Sequence, residues 1–324
     1  MLKEKIQALF NPERYHGWGK KKKYFEGWYY KVLTADEKYA FAFIPGIAMD
    51  NEGNKQAFIQ ILDGIKLTTE YVKFSVENFR SKSDTFRTDI GNNIFEIDRM
   101  LLNLENAKGE LQFKKSVPWP NQWYSPGIMG PFAFVPFMEC YHGILSMDHE
   151  IQGVLQINNE PIDFTGGRGY IEKDWGHSFP SAYIWLQSNH FSKKGISVKA
   201  SVAKIPWLTS SFVGFIAGVY FENRLIEFTT YNGTKLIRSF ASDNIVELVM
   251  ENRKHRLEIS VQRSDSTELA SPILGFMDGR IAESMTSSVK VKLTNRRSNE
   301  ILFEDIGRNT ALEVAGVIEE IMVG

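Results

Sequence analysis

Glu172-Lys173-Asp174-Trp175, followed by Gly176-His177-Ser178-Phe179-Pro180, sets two carboxyls, an ammonium and an imidazole among large rings. The mixture continues through Tyr183-Ile184-Trp185-Leu186-Gln187-Ser188-Asn189-His190-Phe191. These residue types suit acid chemistry on an apolar substrate. A carboxyl walled by Trp, Tyr and Phe loses hydration, which disfavours its ionised form and keeps it a proton donor near neutrality. Glu172 and Asp174 are the candidates, and their proximity helps, because two close carboxyls repel when both are ionised and one tends to keep its proton. Two readings compete: Lys173 pairs with Glu172 and holds it charged, or all three are solvated turn residues beside core rings.

A second stretch of the same character is Tyr24-Phe25-Glu26-Gly27-Trp28-Tyr29-Tyr30-Lys31-Val32, whose aromatic and β-branched content predicts a strand. Side chains alternate along a strand, so Glu26, Trp28 and Tyr30 share one face and Phe25, Gly27 and Tyr29 the other. Gly27 leaves room for a close neighbour. The same alternation groups Tyr183, Trp185, Gln187 and Asn189, with polar tips between rings. The expectation is that Glu26, Trp28, Glu172 and Trp185 line one cavity, with Glu26 as an alternative donor.

These motifs resemble the tocopherol cyclase family. Its members carry Phe-Glu-Gly-Trp-Tyr near the start, here Phe25 to Tyr29, and a longer acidic-aromatic motif, here Glu172 to Phe191. The resemblance continues through Gly130-Pro131-Phe132-Ala133-Phe134-Val135-Pro136-Phe137, Ile226-Glu227-Phe228, Tyr231-Asn232-Gly233 and a glycine-punctuated segment around Ala311 to Gly316. Asp174 stands where the plant enzymes have Asn, His177 and His190 replace other residues, and a long plant insertion is missing. The resemblance ranks Glu172 first as the acid, since it matches the motif, and Asp174 second. It implies two lipocalin-like β-units with an apolar site in or between them.

Composition bounds the function classes. The chain has 324 residues, 43% of them hydrophobic, enough for one large or two ordinary cores. A net charge of −1 gives no general affinity for nucleic acid. The single cysteine, Cys140, cannot form an intramolecular disulfide, so a reducing, cytoplasmic setting is expected, and a lone Cys in an apolar strand reads as core before nucleophile. No apolar run approaches the roughly 20 residues of a membrane span. Lys20 to Lys23 is a basic run that is either solvated or in peripheral contact with anionic lipid. His142, His149, His177 and His190 match no zinc spacing, and no nucleotide fingerprint occurs, so neither metal nor cofactor is expected.

Many short segments with strand chemistry, separated by turn residues, predict an all-β fold of two lipocalin-like barrel or sandwich units with few short helices. Leu2, Ile6, Leu9 and Phe10 fit one amphipathic N-terminal helix. Gly166-Gly167-Arg168-Gly169 marks an expected boundary, giving β-domains over 1–166 and 167–324. The Pro- and Trp-rich stretch from Ser116 to Phe137 is too apolar for a solvated linker and reads as a lid over a pocket or a plug between domains.

The function implied by the resemblance is a redox-neutral cyclisation, in which a prenylated hydroquinone closes onto its own double bond to give a chromanol. That requires an acid, rings facing the developing cation, and polar groups orienting the phenol. Trp28, Trp175 and Trp185 are the expected wall, with Tyr30, Gln187 and Asn189 orienting the ring. Two other readings stay open: a non-catalytic isoprenoid or lipid carrier, and a related terpenoid hydratase that adds water to the same cation.

Overall fold

The computed structural model describes residues 2–324, and its regular elements are almost all antiparallel strands. One amphipathic helix, α1 (Leu2–Leu9), precedes them. The first sheet contains β1 (Tyr24–Leu33), β2 (Ala40–Met49), β3 (Lys55–Asp63), β4 (Thr68–Ser75), β5 (Phe79–Ser81), β6 (Arg87–Ile90), β7 (Asn93–Glu96), β8 (Arg99–Asn103), β9 (Ala107–Lys114), β10 (Cys140–Ile157), β11 (Glu160–Asp163) and β12 (Arg168–Gly176). Its order is β4-β3-β2-β1-β12-β10-β9-β8-β7-β6-β5, with β11 on β10. The second sheet contains β13 (Ala182–Ser188), β14 (Ser197–Trp207), β15 (Ser210–Phe221), β16 (Arg224–Thr229), β17 (Lys235–Ala241), β18 (Ile245–Glu251), β19 (His255–Gln262), β20 (Thr267–Ile273), β21 (Phe276–Asn295) and β22 (Ile301–Gly316). It runs β16-β15-β14-β13-β22-β21-β19-β18-β17, with β20 on β21. The all-β expectation is therefore met. Among the described residues no strand pairing joins the ends of either order, so the units are open sheets and not closed barrels.

The chain divides after Phe179, with Leu269–Arg280 belonging to the first unit. The glycine-rich boundary expected at 166 is instead a turn inside that unit. Arg168–Gly176 is hydrogen-bonded to β1 along one edge and to β10 along the other, so a cut at 166 would remove an interior strand.

Each sheet has one apolar face. In the first unit Trp28, Tyr30 and Val32 of β1 join Phe41, Phe43, Ile171 and Trp175 in one core. In the second, Ala182, Ile184 and Leu186 of β13 pack with Val198, Ala200 and Val202 of β14. Period-two alternation is the cause: the residues between these point the other way. Gly46 in β2 lies opposite Gly27, and a Cβ there would sit 2.4 Å from the Phe58 ring and 2.7 Å from the Glu26 carbonyl, so this crossing needs glycine.

The long strand β10 is continuous over Cys140–Ile157, with irregularities in its pairing to β12 between Ile144 and Ser146 and between Ser146 and His149. Such bulges interrupt the apolar alternation that a sequence scan follows. The proline-rich stretch before β10 carries 3-10 turns over Gly127–Phe134, broken at Gly130, whose φ of 54° lies in the region that favours glycine.

Candidate active site

β12 holds the acidic motif, and its antiparallel register with β1 decides which side chains meet. Glu26 lies opposite Trp175, Trp28 opposite Lys173, and Tyr29 opposite Glu172. Directly opposed residues share a face. Glu26, Trp28, Lys173 and Trp175 therefore occupy one face of the sheet, and Tyr29, Glu172 and Asp174 the other. The expected single cavity lined by both Glu26 and Glu172 does not form, because the two carboxyls stand on opposite sides of one sheet.

On the Glu172 face, β10 brings in a residue that spacing along the chain had discounted. His142 lies opposite Asp174, and its Nδ1 is 2.7 Å from Asp174 Oδ1. Its Nε2 is 3.6 Å from Glu172 Oε2. Glu172 is almost fully buried and accepts a short hydrogen bond from the Tyr170 hydroxyl. Burial, reinforced by the Glu172 charge, pushes the Tyr170 phenol well above its ordinary range, so it remains a donor. Cys140 Sγ lies 3.8 Å from Asp174 Oδ1. Burial and the adjacent Asp174 push that thiol up as well, which keeps it protonated and unsuited to nucleophilic attack. The imidazole is thus hydrogen-bonded to Asp174 and faces Glu172 across 3.6 Å. The same three residues, with one ligand atom from each within 4.8 Å of the others, have donor types that also suit a divalent cation.

On the other face Lys173 does not neutralise Glu172, since sequence neighbours in a strand point apart. Its Nζ lies 2.6 Å from Glu26 Oε1, and both side chains are fully buried. It also donates to the carbonyl of Pro12 at 3.1 Å and to that of Arg14, and sits 2.7 Å from His16 Nδ1. The ammonium lies 5.0 Å from the Trp28 ring centre and 4.6 Å from that of Trp175. Glu26 accepts from the backbone amides of His16 and Gly17 at 2.9 and 3.0 Å and from the Tyr24 hydroxyl at 2.5 Å. Burial alone would raise the Glu26 carboxyl, but Lys173 and His16 outweigh it and hold it below the usual range. Burial pulls Lys173 down against the opposing pull of Glu26. Burial and the Lys173 charge lower His16 to about 4, so its ring is neutral. Glu26 is thus paired with Lys173 and anchors the segment from Pro12 to Gly17, on the sheet face away from Glu172 and Asp174.

A cavity of about 700 Å³ opens where β12 ends and β10 begins. His16, Tyr141, His142 and Trp175 line it, together with Met129, Phe134 and Phe137 of the proline-rich stretch and Ile6 and Leu9 of α1. Trp175 is sandwiched between His16, 4.1 Å away and nearly parallel, and Tyr141 at 5.5 Å. The proline-rich stretch is thus a wall of this cavity. His142 is the one member of the Glu172–Asp174 cluster that also lines the cavity; the two carboxyls themselves lie outside its lining.

Of the other expected wall and orienting residues, only Trp175 lines this cavity. Trp28 and Tyr30 are fully buried in the core, where Trp28 Nε1 donates to the Glu13 carbonyl and the Tyr30 hydroxyl to that of Glu96. Trp185, Gln187 and Asn189 belong to the second unit, all buried, with Trp185 and Gln187 on the face of β13 away from its apolar core.

Fold and site together define a two-unit, lipocalin-like β-protein with an acid–imidazole cluster beside an apolar cavity. A family model described as tocopherol cyclase-like matches residues 102–316, and the chain belongs to that family. The match includes the Glu172 to Phe191 motif and leaves Phe25 to Tyr29 outside. A chloroplastic tocopherol cyclase of Zea mays is 23% identical over 228 residues, covering 66% of this chain and 47% of its own. The chain therefore spans about half the length of that relative. Among solved structures, an AttH-designated protein of Nitrosomonas europaea superposes with a TM-score of 0.55 at 14% identity, over 90% of this chain and 93% of its own. CghA, crystallised with Sch210972, gives 0.57 at 9%, over 90% and 88%. At such identities these likenesses show the fold alone.

Proposed function

We propose that this protein catalyses the acid-promoted, redox-neutral closure of a prenylated hydroquinone, or a close isoprenoid analogue, to a cyclic ether. A proton held by the Glu172–His142–Asp174 cluster passes to the tail's double bond. The phenol oxygen bonds to the resulting tertiary carbon, and the phenolic proton returns to the cluster, so atoms and electrons balance without a redox partner. Glu172, 5% exposed, is the acid facing His142 Nε2, and Asp174, 24% exposed and hydrogen-bonded to His142 Nδ1, holds the imidazole in place and is the second candidate. Tyr141, Phe134 and Phe137, whose rings line the cavity, offer π faces to the developing cation.

The observation that carries this reading is His142, which touches two carboxyls and lines an apolar cavity large enough for an isoprenoid. A carrier gains nothing from buried ionisable groups, which are costly to desolvate. Incubating the protein with a prenylated hydroquinone in D₂O tests it: chromanol should form with deuterium in the former tail, and Glu172→Gln should slow this by roughly 10²–10⁴-fold, as for loss of a general acid. Binding without deuterium incorporation would refute the cyclase and leave the carrier. Deuterium with an open-chain alcohol as product would identify a hydratase.

A further inference from the structure

Large apolar side chains on the first unit's surface concentrate around the cavity. Ile6 is 52% exposed, Phe134 45% and Phe137 51%, and all three also line it. Leu2, 74% exposed, shares the apolar face of α1 with Ile6, since positions four apart on a helix lie one above the other. Phe10 bridges helix and loop by an edge-on contact with Phe134 at 6.1 Å. Trp123 and Tyr124, 79% and 56% exposed, continue the aromatic surface along the same proline-rich stretch.

Charge follows the same rim. Lys5, Lys20 and Lys23 line the cavity, and Lys21 and Lys22 are exposed between the latter two. Glu4 is the only acid on α1, against Lys3 and Lys5. Exposed aromatics and aliphatics flanked by lysines form the composition of an interfacial surface: rings and aliphatic chains enter the headgroup boundary while ammonium groups meet anionic phosphates. A folded protein seldom leaves such a cluster in water without a partner.

We propose that this rim, formed by α1, Lys20–Lys23 and the loop carrying Trp123, Phe134 and Phe137, docks on an anionic lipid bilayer, so that the cavity opens towards the hydrocarbon. The docking does not depend on the chemistry proposed above. Its consequence for substrate entry does: a membrane-dissolved isoprenoid would enter the cavity without crossing water.

Vesicle sedimentation with the full chain tests the docking, using phosphatidylcholine alone and phosphatidylcholine mixed with phosphatidylglycerol. Wild type should partition onto the mixed vesicles, more weakly onto the neutral ones, and less in high salt. Trp123 emission should shift to the blue on binding, and the shift should vanish in Trp123→Phe. Replacing Lys20–Lys23 with Gln should weaken partitioning on the order of 10²–10³-fold, from about fivefold per lysine. The double variant Phe134→Ser with Phe137→Ser should also lose binding with its charge intact, its fold being checked by near-ultraviolet circular dichroism. Wild type remaining in solution with mixed vesicles would overturn the proposal. So would full binding by a folded Phe134/Phe137 variant, which would reduce the contact to electrostatic adsorption.

Discussion

Replacing Lys173 with Met tests the charged anchor directly. Methionine keeps the length and apolar stem of lysine but removes the ammonium from a site with no solvent access. Glu26 would then be a fully buried carboxylate without its counter-ion, and the carbonyls of Pro12 and Arg14 would lose a donor. Breaking a buried ion pair from one side costs about 3–5 kcal/mol, because the desolvation of the remaining charge is no longer offset. Glu26 keeps hydrogen bonds from the His16 and Gly17 amides and the Tyr24 hydroxyl. These donors place the expectation near the lower end, about 3 kcal/mol. Denaturant unfolding followed by tryptophan emission reads the change, since Trp28 and Trp175 flank the lysine. Adding Glu26→Gln removes the stranded charge and should recover at least half of the loss. A single variant less than about 1 kcal/mol below wild type, or a double variant less stable than the single one, would refute the reasoning.

The same cluster sets an acid limit. His16 stays neutral in the fold down to about pH 4, whereas an unfolded histidine takes up its proton near 6.5, so the unfolded state binds more protons between these values. Stability should therefore fall as pH drops through that window, by up to about 3 kcal/mol, and a pH series of denaturation midpoints with His16→Gln should show a flatter profile. Glu26 acts in the same direction lower down: its depressed carboxyl contributes stability above its unfolded value, which is lost as pH falls through the folded one. In the second unit, Gly316 has a φ of 81°, and a Cβ there would lie 1.8 Å from the Ser181 carbonyl oxygen, so Gly316→Ala should lower the thermal midpoint by several degrees in calorimetry.

The sequence by itself determined the strand content and the sorting of β1. Alternating residues in a strand must part, so Glu26, Trp28 and Tyr30 fall on one face whatever the fold, and the structure keeps them there. The same rule, applied to Lys173, would have separated it from Glu172. The residue types and segment lengths likewise fixed the single N-terminal helix and the scarcity of others. What lay beyond local reasoning was pairing between distant strands. That β12 sits between β1 and β10 moved the domain boundary from 166 to Phe179, gave Lys173 to Glu26, and delivered His142 to Glu172 and Asp174. Register is a property of two strands and of the core that selects one alignment among several, and a one-residue slip would have moved Glu172 onto the Glu26 face, opposite Trp28 or Tyr30, and turned Lys173 away from Glu26. The chemistry-bearing residue types were therefore legible in the chain, while which carboxyl is held charged and which meets an imidazole was decided only by tertiary pairing.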